Sequence, residues 1–172
     1  VVPLLLPHTA YKSYPESFLA DKRWDRLTRW LGTVSSQPVR VAARIGGRAP
    51  LHCTANGKVL LAFQPNEVIE EALGAPRARY TENTIVDPAV LRSQLAEIRQ
   101  AGYCIEREEF IADIRGIAAP VFDFNGTVIA AIAVVGPSAR ITEGQIEALV
   151  PLTLRTAESI SRSLGHKPYK DA

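Results

Sequence analysis

One dipeptide limits the possible folds of this 172-residue chain more than any other part of the sequence. Asn125-Gly126 lies between two largely apolar runs, 121–124 and 127–135. Asn and Gly are the residues that most readily take the positive φ angles of a two-residue hairpin turn. We therefore predict an antiparallel hairpin here, with positive φ angles at both residues of the dipeptide.

The second strand of this hairpin is apolar at both alternating positions from residue 128 to residue 135. Because successive side chains of a strand point to opposite faces of a sheet, both faces of this strand need cover. We predict a central strand, with one face packed in the core and the other covered by helices or by a partner chain. Extended structure is also expected at 39–45, 103–110 and 114–122.

Two short helices are predicted between residues 51 and 74. The segment 51–63 is largely apolar, and Thr54 can act as the N-cap of its helix by accepting a hydrogen bond from a backbone amide. A second helix is predicted from residue 65 to residue 73, with Gly74 as its C-terminal stop.

Two longer helices follow. Asp87-Pro88 has the residues preferred at an N-cap and at the first helical position, and Gly102 is expected to end that helix. Thr142-Glu143-Gly144-Gln145 has the spacing of a capping box and opens a helix that Gly165 ends. Pro151 is expected to bend this last helix or to split its first turn. The expected buried stripes are Leu91, Leu95 and Ile98 in the first, and Ile146, Leu149, Val150, Leu154, Ala157, Ile160 and Leu164 in the second.

The order of a strand, three helices, paired strands and a long helix is typical of an α+β domain built on an antiparallel sheet. The chain has 20 basic and 18 acidic residues and no basic stripe, so direct binding to nucleic acid is not expected. Two distant cysteines, no membrane-length apolar run and no signal peptide favour a cytoplasmic protein. A chain that begins at Val1 and has no methionine is expected to be a piece of a longer protein.

The start of the first predicted helix has features of an anion-binding site. The first amides of a helix have no partner within the helix, and here they lie beside Thr54, Ala55 and Asn56 with no charged side chain among them. Such amides can bind a small anion. They can equally belong to an ordinary helix start, satisfied by the Thr54 hydroxyl or by water.

Four blocks of sequence, in this order, resemble the effector-binding domain of IclR-type bacterial transcription regulators. The blocks are Ala49-Pro50-Leu51-His52-x-Thr54-Ala55-x-Gly57-Lys58 with Leu61-Ala62, Gly102-Tyr103 with Glu108-Glu109, Arg115-x-Ile117-Ala118-Ala119-Pro120-Val121, and Gly136-Pro137-Ser138-x-Arg140-Ile141-Thr142. The resemblance extends from about Ser36 to Gly165, and residues 1–35 match the family pattern poorly.

The resemblance implies a GAF-like antiparallel sheet with helices packed on its faces. It implies a single effector-binding domain over residues 1–172 and an upstream winged helix-turn-helix domain, absent from this chain, that binds DNA. It further implies assembly as homodimers or tetramers, control by a small organic acid, and neither enzymatic activity nor a cofactor, metal or membrane.

The resemblance also implies a ligand site. The backbone amides of Ala55 and Asn56 would bind the carboxylate of the effector, and Glu106 would meet a hydroxyl or carbonyl group. The walls would come from Val41, Ile114, Gly116, Ala133 and Val135. Some family members that bind very small polar acids have hydroxyl residues at the last two positions. Because Ala133 and Val135 are both apolar here, a larger or more hydrophobic acid is expected, such as an aromatic or ring-cleavage-derived one.

A carboxylate beside Glu106 would be repelled by it. Glu106 therefore helps binding only if it pairs with Arg44, Arg107 or Arg115, or if a proton passes to it from the ligand.

Two other functions stay open at this point. A ligand-free dimerisation module would keep the fold, and the long amphipathic helix and the apolar strand 128–135 are compatible with it. A cysteine-dependent redox enzyme is the other alternative, because Cys53 lies beside His52 just before a helix N-terminus. Against that alternative, Cys104 has no partner at a motif spacing.

Overall fold

The computed structural model describes residues 49–167. The predicted strand 39–45, the wall residue Val41, Arg44 and the segment 1–35 lie outside the described residues. The described chain has four helices, α1 (Ala55–Ala62), α2 (Asn66–Gly74), α3 (Pro88–Ala101) and α4 (Glu143–Ser163), and three strands, β1 (Cys104–Arg107), β2 (Ile114–Phe122) and β3 (Val128–Pro137). None of the four described helices has the length and apolar content needed to cross a lipid bilayer.

The three strands form an antiparallel sheet in the order β1-β2-β3. In one row across the sheet, Cys104 lies opposite Ala118, which lies opposite Ala133. The same face of the sheet packs against α1, and α3 packs against α1 within the same larger apolar core. The antiparallel sheet with its helices confirms the predicted α+β class.

The opposite face of the sheet packs against α4. Ile117 on β2 clusters with Ile141 and Ile146, and Ile132 on β3 clusters with Ala157. The sheet is therefore the middle of three layers, and β3 is covered on both faces as expected from its sequence. Among residues 49–167, β3 pairs with β2 alone and lies at one edge of the sheet. The predicted central position of β3 in a larger sheet therefore stays a prediction.

The hairpin between β2 and β3 is confirmed, but its turn differs from the predicted one. Gly126 has a φ of +77°, whereas Asn125 is not among the described non-glycine residues with positive φ. The carbonyl oxygen of Asp123 accepts from the Gly126 amide at 3.0 Å. The carboxylate Oδ1 of Asp123 accepts from the amides of Asn125 and Thr127 at 2.9 Å each. The expectation of two positive φ angles was wrong, because the Asp123 carboxylate folds a longer loop that closes with one left-handed glycine.

The predicted caps of α1 and α3 are confirmed. The Thr54 hydroxyl accepts from the Gly57 amide at 3.2 Å, and the Asp87 carboxylate accepts from the Ala89 amide at 2.7 Å. Gly102 ends α3 in the left-handed conformation with a φ of +76°.

The predicted end of α2 was wrong by one residue, since Gly74 is still helical. Ala75 is extended because it precedes Pro76, and a residue before proline disfavours the helical conformation. The Arg77 guanidinium then donates to the carbonyls of Leu73 and Ala75 at 2.5 and 2.8 Å, which satisfies the end of the helix.

Helix α4 begins at the predicted cap, where Thr142 Oγ1 accepts from the Gln145 amide at 3.4 Å. It continues through Pro151 as one helix, so the expected split of its first turn did not occur. The buried residues Ile146 and Ala157 were predicted, but Leu164 is 39% exposed because the helix ends before it.

Candidate functional site between α1 and the sheet

Four of the predicted site residues meet at one point, the α1-facing side of Gly116. A Cβ atom placed on Gly116 would lie 3.2 Å from the Ala55 Cβ, 3.5 Å from Glu106 Oε2 and 3.6 Å from Val135 Cγ2. The missing side chain therefore allows the first residue of α1 to approach the backbone of β2 closely. We call this region, formed by Ala55, Asn56, Glu106, Gly116 and Val135, the α1–sheet site.

The strand register explains why the sheet residues come together. Glu106, Gly116 and Val135 are cross-strand partners in one row of the sheet. Ala133, opposite Ala118, lies two rows from this one in one direction along the strands, and Ile114, opposite Pro137, lies two rows away in the other direction. Since side chains alternate along a strand, all five predicted sheet residues lie on the face that α1 covers.

The start of α1 has polar groups without hydrogen-bond partners in the described part of the chain. The Thr54 residue binds the amides of Gly57 and Lys58, at 3.2 and 2.9 Å, through its hydroxyl and its carbonyl. Within residues 49–167, no acceptor is bound to the amides of Ala55 and Asn56. The Asn56 side chain is 5% exposed, and its Oδ1 has no hydrogen-bond partner in this part of the chain. Buried polar groups are normally paired, so this arrangement is suited to a polar ligand.

Gly57 allows the chain before α1 to pack closely against the first turn of the helix. The sequence alone indicated this residue only as part of a motif. A Cβ atom on Gly57 would lie 2.6 Å from the Cα and carbonyl oxygen of Leu51 and 2.6 Å from Thr54 Oγ1. The chain before the helix thus folds back over a position where any side chain would collide with backbone.

Glu106 is a buried acid, 4% exposed, that no basic side chain in the described region pairs with. Its Oε1 accepts from the backbone amides of Glu109 and, at 3.4 Å, Phe110. Burial raises the pKa of the Glu106 carboxyl to about 7, and the negative charge of Glu109 adds to the rise, while the amide bonds and the Lys58 charge oppose it. Such a group exchanges its proton near neutral pH.

The arginines considered as partners for Glu106 bind other groups. Arg107 donates to both carboxylate oxygens of Glu143, at 3.1 and 3.0 Å. Arg115 donates to Glu108 and Glu143, at 3.3 Å each. Of the conditions under which Glu106 could help binding, pairing with Arg107 or Arg115 is not met, because the first turn of α4 and the loop after β1 provide competing acids.

An ion pair that the sequence interpretation missed lies beside Glu106. Lys58 on α1 donates to the carboxylate of Glu109, and the two residues are 0% and 5% exposed. Thr84 Oγ1 holds the Glu109 carbonyl at 2.6 Å. A signal was present in the sequence, since Lys58 is the one charged residue in a helix whose positions are otherwise apolar or small, apart from Asn56.

The two cysteines do not have the environment of a nucleophile. Both are buried, and burial raises the pKa of each thiol to about 12. His52 Nε2 lies 2.9 Å from the Ala78 carbonyl oxygen, and burial lowers the pKa of its imidazole. The thiols are therefore protonated and unreactive at neutral pH.

A small cavity of about 110 Å³ lies elsewhere, between α1, α2 and α3. None of the predicted site residues lines it. Two of its polar side chains, His52 and Arg77, lie within hydrogen-bonding distance of the backbone carbonyls of Ala78 and Val86.

Comparison with known proteins identifies the family. The family described as bacterial transcriptional regulator IclR, C-terminal, matches residues 32–162. The HTH-type transcriptional repressor AllR of Klebsiella pneumoniae is 40% identical over 134 residues, which are 77% of this chain and 49% of that protein. The chain thus spans about half the length of the curated relatives it matches.

Solved structures share the fold. The IclR protein of Thermotoga maritima aligns with a TM-score of 0.76 and 29% identity, over 92% of this chain and 69% of that one. The inducer-binding domain of PobR from Acinetobacter, a double mutant solved with 3-hydroxybenzoic acid, aligns with a TM-score of 0.73 and 26% identity, over 92% of this chain and 98% of that one.

These relatives are transcriptional regulators, which confirms the regulator interpretation over the enzyme alternative. The match over most of the chain and the shared fold lead to one conclusion. The chain belongs to the IclR family of bacterial transcriptional regulators and contains the C-terminal, effector-binding domain of that family.

Proposed function

We propose that the α1–sheet site binds a small organic carboxylate, and that this ligand is the effector of the regulator. The observation that carries the proposal is the meeting of Ala55, Glu106 and Val135 around Gly116, beside two helix amides without a partner in the described chain. Polar groups that converge near Ala55 favour a ligand-binding domain over a ligand-free dimerisation module.

The carboxylate is bound by the start of α1. The amides of Ala55 and Asn56 donate to its oxygens, and the partial positive charge of the helix N-terminus favours an anion there by about 0.3–1 kcal/mol, or up to about 2 kcal/mol when partly buried. The hydrogen bonds to a charged acceptor add to this. Asn56 Oδ1 can accept from a hydroxyl or N–H group on the same ligand.

The remainder of the ligand is apolar, an aromatic or ring-cleavage-derived acid. Val135 is half-buried and offers a methyl surface to the site, and Ile114 is half-buried on the same face. Ala133 lies deeper, 4% exposed, and limits the depth of the site. The related PobR domain was solved with an aromatic hydroxy acid, which supports this ligand class.

The effector changes the regulator as a whole by shifting a population. A ligand that binds one arrangement of the subunits better than another moves the equilibrium toward it. In this proposal the chain forms one effector-binding domain, assembles as a homodimer or tetramer in the cytoplasm, and acts on DNA through an N-terminal domain. The length and HTH-type description of AllR support the last part.

Thermal unfolding tests the proposal. The 172-residue chain is heated with benzoate, 3-hydroxybenzoate or the uncharged analogue benzamide. Ligands that bind the folded state raise the melting temperature, so both acids should raise it and benzamide should not. Val135→Trp should remove the effect by filling the site, whereas Val90→Trp, at a 52% exposed position of α3, should keep it. If neither acid stabilises the wild-type chain, this ligand class is wrong.

A further inference from the structure

The α1–sheet site contains a buried acid where the proposed ligand brings a second negative charge. Glu106 Oε2 and the Ala55 Cβ both lie within 3.5 Å of the same point, the Cβ position of Gly116. Two carboxylates that share a site with little water repel each other strongly. Such pairs exist in proteins with one proton between them.

Among residues 49–167, each cation near Glu106 is already paired with another acid. On α1, Lys58 is paired with Glu109, and on β1 and β2 Arg107 and Arg115 are paired with Glu143 and Glu108. With the cations of this part of the chain engaged, a second negative charge entering the site calls for an added positive one, and the smallest is a proton.

We propose that the α1–sheet site takes up its carboxylate ligand together with one proton, which Glu106 and the ligand carboxylate share in a hydrogen bond. The inference rests on the proposed function, because it concerns the same site. The proton comes from solvent, so the complex carries one negative charge fewer than the ionised acid and ligand would together. The site thereby selects an anionic acid that can accept a hydrogen bond from a neutral carboxyl group.

The groups that face Glu106 agree with this assignment. From the loop after β1, the Glu109 carboxylate adds a negative charge, and from α1 the Lys58 ammonium offsets it. Cys104 on the same strand and Cys53 before α1 are neutral thiols, since burial raises their pKa values to about 12. The facing residues of β2 and β3, Gly116 and Val135, carry no charge.

The backbone arrangement around Glu106 leaves one oxygen for the ligand. Oε1 is occupied by the amides of Glu109 and Phe110, and Oε2 is the atom directed to Gly116. The Lys58 ion pair and the hydroxyl of Thr84 hold Glu109, and therefore its amide, in place. The proton thus lies on the oxygen that meets the ligand. Burial brings the pKa of Glu106 to about 7, where the protonated form is available at neutral pH.

The proposal predicts a specific pH dependence. If only the protonated domain binds, the dissociation constant rises as the protonated fraction falls. With a Glu106 pKa of about 7, the affinity should weaken about tenfold between about pH 6 and about pH 8. Proton uptake per bound ligand should rise from near zero at the lower pH to about one at the higher pH.

Isothermal titration calorimetry of the 172-residue chain with 3-hydroxybenzoate tests this. Titrations at pH 6, 7 and 8, each in two buffers of different ionisation enthalpy, give the affinity and the number of protons taken up. Glu106→Gln keeps a hydrogen-bond donor but cannot titrate, so it should bind equally at all three pH values and take up no proton. Glu143→Gln, an exposed acid outside the site, should retain the wild-type pH dependence.

Each result decides between the two proposals. Binding without proton uptake, equally strong at pH 6 and pH 8, overturns the proton coupling and leaves the carboxylate site standing. Proton uptake that persists in folded Glu106→Gln overturns the assignment to Glu106. Absence of binding at every pH removes the proposed ligand class and the inference with it. If Glu106→Gln does not fold, the proton count of the wild-type chain alone decides.

Discussion

Lys58 and Glu109 form an ion pair in which neither residue is more than 5% exposed. A pair buried in this way is weak evidence of net stabilisation, because both charges lose their water. Removing one partner is strongly destabilising, because the remaining charge stays buried without compensation.

Lys58→Met is therefore expected to destabilise the chain by about 3–5 kcal/mol in urea unfolding. The double variant Lys58→Met/Glu109→Leu should recover much of this loss, since it leaves no buried charge. Arg92→Met removes one partner of the exposed pair with Glu70 and should change the unfolding free energy little. A single variant at Lys58 as mild as the one at Arg92 would contradict the buried pairing.

The protonation of Glu106 should make stability depend on pH. Its pKa is about 7 in the folded chain and ordinarily 4.5, so between these values the folded state binds more protons than the unfolded state. The free energy of unfolding then falls as the pH rises through this window. Relative to Glu106→Gln, the wild-type chain should lose on the order of 3 kcal/mol between about pH 5 and about pH 8, measured by urea unfolding. Parallel pH curves for the two chains would show that Glu106 titrates normally.

Gly116→Ala should both destabilise the domain and weaken ligand binding. The new methyl group would lie 3.2 Å from the Ala55 Cβ, which is attached to the helix backbone and cannot rotate away. Overpacking of this kind costs about 1–3 kcal/mol. Gly144→Ala is the matched control, because nothing lies within 4 Å of its Cβ position in α4. In thermal unfolding the control should be neutral or stabilising by up to about 1 kcal/mol.

The hairpin turn predicts different outcomes for its two residues. Gly126 has a φ of +77°, so Gly126→Ala should cost about 1–2 kcal/mol, while Asn125→Ala should have a small effect because Asn125 has no positive φ. Chemical unfolding of both variants measures the difference. Equal losses would indicate the two-residue turn that the dipeptide alone suggests.

Local signals in the sequence were sufficient for most elements. The Asp87 cap, the end of α3 at Gly102 and the β2 bounds Ile114–Phe122 all follow from residues within one turn or strand, and the structure has each of them. The turn at Asn125-Gly126 failed as a prediction because the Asp123 side chain, two residues earlier, competes for the backbone amides.

The site residues needed information that periodicity does not contain. The meeting of Glu106, Gly116 and Val135 depends on the pairing register of three strands, and family resemblance supplied it. The burial of Lys58 depends on an acid 51 positions away, which no local pattern links to it. The sequence alone therefore did not predict this long-range ion pair.

Gly116 and Ile117 are consecutive, yet they serve opposite sides of the sheet. Gly116 faces Ala55 at the start of α1, and Ile117 packs with Ile141 and Ile146 on the side of α4. One peptide group separates these two residues, and they serve opposite sides because successive side chains of a strand point to opposite faces of the sheet. The proposed ligand site and the packing surface of the last helix therefore meet within two consecutive residues of the middle strand of the described sheet.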